Sequence, residues 1–166
     1  MSRGFVKEDD QEETPLVPPR ADLPDGITNY ITNNGMDELL TEKQALIDEK
    51  GAIEAATEQE KRITSNFINA KIHLLEERIG IAKIVDLSEQ PKNEIRFGAI
   101  VTLKIGNPSK TQSYQIVGVD EADIAKSKIS FISPIAKILI GRKIGEKAIL
   151  KLAREDRVFE VVEIRY

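Results

Sequence analysis

The chain lacks cysteine and tryptophan, and its 166 residues include a single histidine. Without cysteine there can be no disulfide, no thiolate nucleophile and no zinc site built on sulfur. Aromatic residues make up only 5% of the sequence, so a large aromatic-lined ligand pocket is not expected. The lone His73 has no second histidine with which to share a metal, and we expect it to be an ordinary surface residue.

The chain also lacks a long apolar run and an excess of positive charge. No apolar stretch approaches the roughly 18 residues that would span a membrane, and the acidic N-terminus has no apolar core typical of a secretory signal. The net charge of −4 gives the protein as a whole no basic footprint for duplex nucleic acid. No Ser-His-Asp set or glycine-rich phosphate loop can be assembled. We therefore expect a cytoplasmic protein that is not an enzyme and makes no membrane contact.

Residues 1–29 have the composition of a tail. An acidic KEDDQEE run at residues 7–13 is followed by Pro15, Pro18, Pro19 and Pro24. Charge followed by proline leaves no apolar face to bury, so we expect disorder or an extended strap. An acidic arm that docks on a basic partner surface is the alternative.

Residues 30–86 are predicted to form an antiparallel helical hairpin. The second half carries two apolar lines at coiled-coil spacing, namely Ile63, Phe67, Ala70, Leu74 and Ile81, and Ile68, Ile72, Leu75, Ile79 and Ala82. Asn34 or Thr32 would cap the first helix, and the chain should reverse between Gly51 and Gln59. Thr57 and Glu60 form a capping-box pattern for the second helix. One continuous helix that dimerises is the structural alternative.

Residues 87–96 are predicted to be a linker and residues 97–166 a small β domain. Alternating apolar residues predict strands at residues 99–105, 113–117, 129–132, 147–152 and 158–164, with a turn at residues 106–109. Ser133 and Pro134 should open one short helix, which Gly141 would end. The predicted class is α+β, with a strongly curved antiparallel sheet packed on that helix.

Four motifs in this order carry a family resemblance. They are F-G-A-x-V-x-L at residues 97–103, Y-Q-I-V-G-V-D-E-A-D at 114–123, I-S-F-I-S-P-I-A at 129–136 and L-I-G-R-K-I-G-E at 139–146. The four motifs follow a Y-I-T-N-N-G-M-D-E-L-L segment that begins at Tyr30. Together they resemble Gre-family (GreA/GreB-like) bacterial transcription elongation factors. The resemblance covers residues 28–166 and leaves out the tail.

The resemblance implies an FKBP-like C-terminal domain without isomerase activity. It implies a monomer that docks on bacterial RNA polymerase at its secondary channel, inserts the hairpin, and touches transcript RNA or DNA only indirectly. The inserted hairpin would modulate elongation, pausing or transcript cleavage. The resemblance also places the polymerase-binding surface around Ile132, Ser133 and Pro134. In the family an acidic residue often stands at the position of Ile132. We add the acidic loop of Asp120 and Glu121 as a candidate partner contact.

The chain departs from the family pattern at the hairpin tip. The acidic tip motif of cleavage-active relatives, which holds a magnesium ion in the polymerase, is absent, and the hairpin is shorter. The nearest candidate carboxylates are Glu54, Glu58 and Glu60, and for each of them a solvated helix carboxylate is the favoured interpretation. We expect no cofactor of the protein's own, with magnesium shared with the polymerase as the alternative. A coiled-coil scaffold or chaperone-like protein is the competing function.

Overall fold

The computed structural model describes residues 14–106 and 110–166 of the chain. The expected acidic run at residues 7–13 and most of the expected turn at residues 106–109 lie outside these ranges. Within them, the elements in chain order are β1 (Asn29–Ile31), α1 (Asn33–Gly51), α2 (Glu58–Gly80), β2 (Ala82–Ile84), β3 (Ile100–Ile105), β4 (Lys110–Val117), β5 (Lys128–Ser130), α3 (Pro134–Leu139), β6 (Lys147–Lys151) and β7 (Asp156–Arg165). None of the helices in the described ranges is long and apolar enough to cross a membrane.

The two long helices form the predicted hairpin, and each begins at a predicted cap. The Thr32 side chain accepts a hydrogen bond from the Gly35 N–H at 3.0 Å, and the Thr57 side chain accepts one from the Glu60 N–H at 3.1 Å. Asn34 lies inside α1 and does not cap it. Because α1 ends at Gly51 and the chain then reverses, the alternative of one continuous helix is wrong.

One of the two apolar lines of α2 faces α1. Ile68 and Leu75 of α2 are buried with Leu39 and Leu46 of α1 in a small core that also includes Ile31. The other line is only partly covered: its middle residues are half-buried, and its end residues Ile63 and Ile81 are 60% and 59% exposed. Burial of only one line is what an antiparallel pair of helices requires, since each helix has a single neighbour.

A two-stranded parallel sheet, which was not predicted, closes the base of the hairpin. β1 precedes α1 and β2 follows α2, with Asn29 paired to Ala82 and Ile31 paired to Ile84. The Val85 N–H also donates to the Ile31 carbonyl at 2.9 Å. The entrance and the exit of the hairpin are therefore fixed side by side.

The C-terminal domain is a five-stranded curved sheet in the order β5-β4-β3-β7-β6, packed on α3. Its core contains Ile95, Ala99, Val101, Leu103, Ile116, Ile129, Ala136, Leu139, Ala148, Phe159, Val161 and Ile164. The predicted α+β class, with a helical hairpin before a curled β domain, is confirmed. One strand pair differs from the antiparallel expectation, because β4 and β5 run parallel. The connection over residues 118–127 carries the chain back along the sheet before β5 begins.

Candidate functional site

The hairpin tip is an exposed loop between α1 and α2. Glu54, Glu58 and Glu60 are all exposed there. The Glu60 carboxylate is engaged, since it accepts the Ala56 N–H at 3.1 Å, one residue earlier than the predicted capping box would place the bond. That engagement leaves Glu54 and Glu58 as the more available carboxylates of the three candidates.

The groove between the two helix ends at the tip has mixed charge. It is lined by Lys50, Ile53, Glu58, Gln59, Lys61, Arg62 and Ser65. Cationic side chains beside Glu58 compensate its charge locally and reduce its attraction for a metal ion. Among residues 14–106 and 110–166, no group of three or more histidine, aspartate or glutamate side chains is arranged to hold a metal. The tip therefore combines carboxylates and cations in one exposed groove.

The hairpin shaft carries charged pairs between and along its helices. Lys43 of α1 lies 2.8 Å from Glu76 of α2, and the hydrogen bond from Lys43 lowers the pKa of the Glu76 carboxyl. His73 has a side chain that is 71% exposed and lies 3.3 Å from Glu77, one turn further along α2. The position of His73 agrees with the expectation of a surface histidine.

Asp120 and Glu121 are buried at the junction between the hairpin and the C-terminal domain. The Asp120 side chain is only 4% exposed and lies between the guanidinium groups of Arg20, at 3.0 Å, and Arg78, at 3.3 Å. Glu121 is 5% exposed and accepts hydrogen bonds from the Thr32 N–H at 3.1 Å, from the Thr32 hydroxyl, and from the Gly118 N–H at 3.0 Å.

The acidic loop of Asp120 and Glu121 was a candidate partner contact, and the structure buries both carboxylates at this junction. Both carboxylates accept hydrogen bonds within the chain, from the hairpin and from the segment before it. A buried carboxylate needs such partners, because an unpaired one would carry a large desolvation penalty. Asp120 and Glu121 are therefore junction residues.

Aromatic rings add an apolar contact across the same junction. Tyr30 of β1, Phe97 before β3 and Phe131 after β5 contact one another, with ring centroids 5.6–5.9 Å apart. Such tilted and edge-to-face pairs stabilise by about 0.5–1.5 kcal/mol beyond their buried area. Three of the chain's eight aromatic residues are thus placed where the two parts of the molecule meet.

The Ile132–Ser133–Pro134 segment lies at the start of α3, as predicted. The Ser133 side chain accepts the Ala136 N–H at 3.2 Å, and Pro134 occupies the first turn. Pro134 is exposed, while Ile132 and Ser133 are half-buried. These three residues form a short, partly apolar surface whose backbone is fixed by the helix cap, which suits a protein contact.

The lysines of the C-terminal half do not gather on one face. Lys104, Lys110 and Lys147 line one groove together with Arg157, but Glu155, Asp156 and Glu160 line it as well. Lys128 lies 3.6 Å from Glu38 of the hairpin, and Lys126 lies 3.8 Å from Asp123. A uniform basic surface for nucleic acid is therefore not formed by these residues.

Sequence reasoning missed the two arginines of the junction. Arg20 stands alone in the proline-rich segment, and Arg78 sits in α2 beside the apolar lines, so neither belongs to a recognisable motif. The guanidinium of Arg20 donates to both carboxylate oxygens of Glu42, at 2.9 and 3.1 Å, and this hydrogen bonding is the main cause that raises the pKa of Arg20. Only the folded chain brings these charges together.

Within residues 14–106 and 110–166, the arrangement is a helical hairpin joined to a small curved β domain by buried charges and contacting aromatic rings. The class defined by this fold is a projecting α-helical hairpin followed by a β domain. Comparisons with known proteins agree: residues 90–166 match the model of the family described as "Transcription elongation factor, GreA/GreB, C-term".

Individual relatives extend the match beyond the C-terminal domain. The chain is 39% identical over 121 residues to the transcription elongation factor GreA of Halorhodospira halophila, covering 72% of this chain and 73% of that protein. It is 36% identical over 120 residues to GreA of Rickettsia canadensis, covering 72% and 71%. A solved structure, GreA factor homolog 1 (Gfh1) of Thermus thermophilus, is 22% identical with a TM-score of 0.40, covering 84% of this chain and 100% of that one. The chain belongs to the GreA/GreB family of transcription elongation factors.

Proposed function

We propose that this protein binds bacterial RNA polymerase through its C-terminal domain and places its hairpin in the secondary channel. Family membership is the single observation that carries this proposal. The dimensions of the hairpin support it, since α1 and α2 have 19 and 23 residues and extend about 30 Å at 1.5 Å per residue. The pairing of α1 with α2 inside one chain supports action as a monomer.

The chemistry of the tip favours a modulating role over delivery of a metal ion. The Glu60 carboxylate is engaged with the Ala56 N–H, and Lys50, Lys61 and Arg62 border the same groove as Glu58. Divalent ions such as magnesium bind best where carboxylates outweigh neighbouring cations. We therefore propose that the inserted hairpin changes elongation or pausing by occupying the channel, without delivering magnesium.

Backtracked elongation complexes assembled with polymerase from the source organism test this proposal. The protein is added in the presence of magnesium, and the 3′ end of the labelled transcript is followed. We expect the protein to bind the complexes while transcript cleavage stays unchanged or is suppressed. Faster release of short 3′ fragments would overturn the channel-occupying mechanism, and Glu54→Gln and Glu58→Gln would then identify the carboxylate responsible. Absence of binding would overturn the polymerase partner itself.

The proposed docking surface consists of Ile132, Ser133 and Pro134. Ile132→Lys places a positive charge where an acidic residue often stands in the family, and we expect it to weaken polymerase binding by at least about tenfold, as loss of a well-packed contact does. Ile124→Lys is the matched control, because Ile124 is 86% exposed on a different loop of the same domain. Equal binding by the two variants would place the docking surface elsewhere. Circular dichroism of both variants confirms that the fold is retained.

A further inference from the structure

The segment that precedes β1 runs across the outside of the hairpin base. Residues 14–28 contain neither helix nor strand, yet residues 19–23 lie against α2, where they form a groove together with Leu74, Glu77, Arg78 and Ile81. Arg78 also donates a hydrogen bond to the Ala21 carbonyl. The segment therefore covers part of the apolar line of α2 that α1 leaves open.

Arg20 in this segment contacts both parts of the molecule at once. Its guanidinium donates two hydrogen bonds to Glu42 of α1 and a third, from Nε, to Asp120 of the C-terminal domain at 3.0 Å. The planar guanidinium can do this because its donors point in several fixed directions, whereas a lysine ammonium is a single point of charge. One side chain thus joins the segment, the hairpin and the domain.

Asp120 is the centre of this network. Its second carboxylate oxygen lies 3.3 Å from Nε of Arg78, so two cations from different segments share one buried anion. The Arg20 and Arg78 side chains are 19% and 11% exposed, and salt screens such contacts much less than it screens exposed pairs. Removing one cation would leave Asp120 buried with half of its compensation, which is costly.

We propose that residues 14–28 form an intramolecular clamp, and that Arg20 is a positioning residue which sets the direction in which the hairpin leaves the C-terminal domain. The clamp acts beside the Tyr30–Phe97–Phe131 contact and the Glu121–Thr32 hydrogen bonds, which hold β1 and the start of α1. Through the hydrogen bonds of Arg20, the clamp bridges α1 and the loop after β4.

The experiment measures the position of the hairpin in the full-length protein. Because the chain has no cysteine, Thr64→Cys on α2 and Gln112→Cys on β4 give two unique sites for spin labels. The distance distribution between them is compared for the otherwise wild-type protein, Arg20→Ala and Arg20→Lys. We expect a broader distribution for Arg20→Ala and an intermediate one for Arg20→Lys. Arg154→Ala, on the exposed turn between β6 and β7, is the control and should leave the distribution unchanged.

A second measurement asks whether the segment itself is released. Backbone order parameters from ¹⁵N relaxation at residues 21–23 should fall in Arg20→Ala from values near 0.85 for rigid backbone to below about 0.6. If the segment is released in Arg20→Ala but the distance distribution does not broaden, the clamp is overturned. In the wild-type protein the segment would then be attached to the hairpin without controlling its direction. Unchanged order parameters would show that Arg20 is not the anchor and would equally overturn the proposal.

One functional consequence rests on the proposed function. Arg20→Ala should bind polymerase as tightly as the wild-type protein, because the docking surface is untouched, but its effect on the elongation complex should be weaker. If the protein does not bind polymerase at all, the proposed function fails while the distance and relaxation results still decide the clamp.

Discussion

The C-terminal domain and the hairpin bury their apolar side chains in different ways. Among the described residues, the domain core contains twelve buried residues contributed by strands, a helix and the segment before β3, which surround it on several sides. The hairpin core contains five, four of them in a single line between two helices. Within residues 47–67, all of which the structure describes, no side chain is buried.

This difference separates the molecule into a firmly packed base and a lightly packed rod. The shape of the domain follows from its own core, whereas the outer half of the hairpin is held mainly by helix hydrogen bonds and its cap. Local opening is easiest where few apolar contacts would be broken. A rod of this kind can adapt at its tip while its base, fixed by buried charges and aromatic rings, keeps its direction.

The test with the largest expected effect makes the same substitution in the domain core and in the hairpin core. Leu103 of β3 is fully buried, whereas Leu46 of α1 is 9% exposed at the edge of the hairpin core. Because a leucine-to-alanine change costs about 2–5 kcal/mol depending on how well the site can collapse, we expect Leu103→Ala near the upper end and Leu46→Ala near the lower end. Urea denaturation of both variants measures the free energy of unfolding. Equal losses would contradict the description of the hairpin as lightly packed.

The same contrast explains which features could be predicted from the sequence. The hairpin, the caps at Thr32 and Thr57 and most strands of the domain follow local rules, since spacing and turn chemistry act over a few residues. The pairing of β1 with β2 joins three-residue strands that are 53 positions apart, for example Asn29 with Ala82. Segments that short carry no usable periodicity, so their pairing could not be predicted.

The junction shows the same limit for the candidate site. Asp120 and Glu121 follow a strand in a sequence typical of a turn, and their local pattern indicated an acidic loop that could contact a partner. Their burial is decided by Arg20, Arg78 and Thr32, which lie 42 to 100 positions away along the chain. No spacing rule connects those positions, and the role of Arg20 emerges only from the folded structure.

A second test addresses the junction, where the two regions meet, with two glycines of α1. A Cβ atom added at Gly35 would lie 2.1 Å from Cδ of Glu121, whose carboxylate is held by Thr32 and Gly118, whereas one at Gly51 would meet nothing within 4 Å. We expect Gly35→Ala to cost about 1–3 kcal/mol through overpacking. Gly51→Ala should instead stabilise by up to about 1 kcal/mol, because alanine favours helix. Thermal unfolding of the two variants measures whether each substitution raises or lowers the stability. Stabilisation by both substitutions would mean that the junction is loosely packed.

The smallest expected effect on stability concerns the hydrogen bonds of Tyr166 in the C-terminal domain. The Tyr166 hydroxyl donates to the Glu94 carbonyl at 2.7 Å and accepts from the Arg96 N–H at 2.8 Å, which ties β7 to the segment before β3. Burial is the main cause that raises the pKa of Tyr166 above its ordinary value of 10.0. We expect Tyr166→Phe to lower the free energy of unfolding by about 1 kcal/mol near neutral pH, the usual contribution of such hydrogen bonds.

The pH dependence of that difference follows from the direction of the pKa shift. A group whose pKa is raised by folding stabilises the protein below its unfolded pKa, and this contribution is lost as the pH rises through the folded pKa. The gap between wild type and Tyr166→Phe should therefore be constant up to about pH 10 and shrink above it. Denaturation curves at stepped alkaline pH measure the gap, and lysine titration cancels because both proteins carry the same lysines. A gap that widened above pH 10 would mean that the phenolate is stabilised at this site, and the domain would then close through charge rather than through a buried neutral hydroxyl.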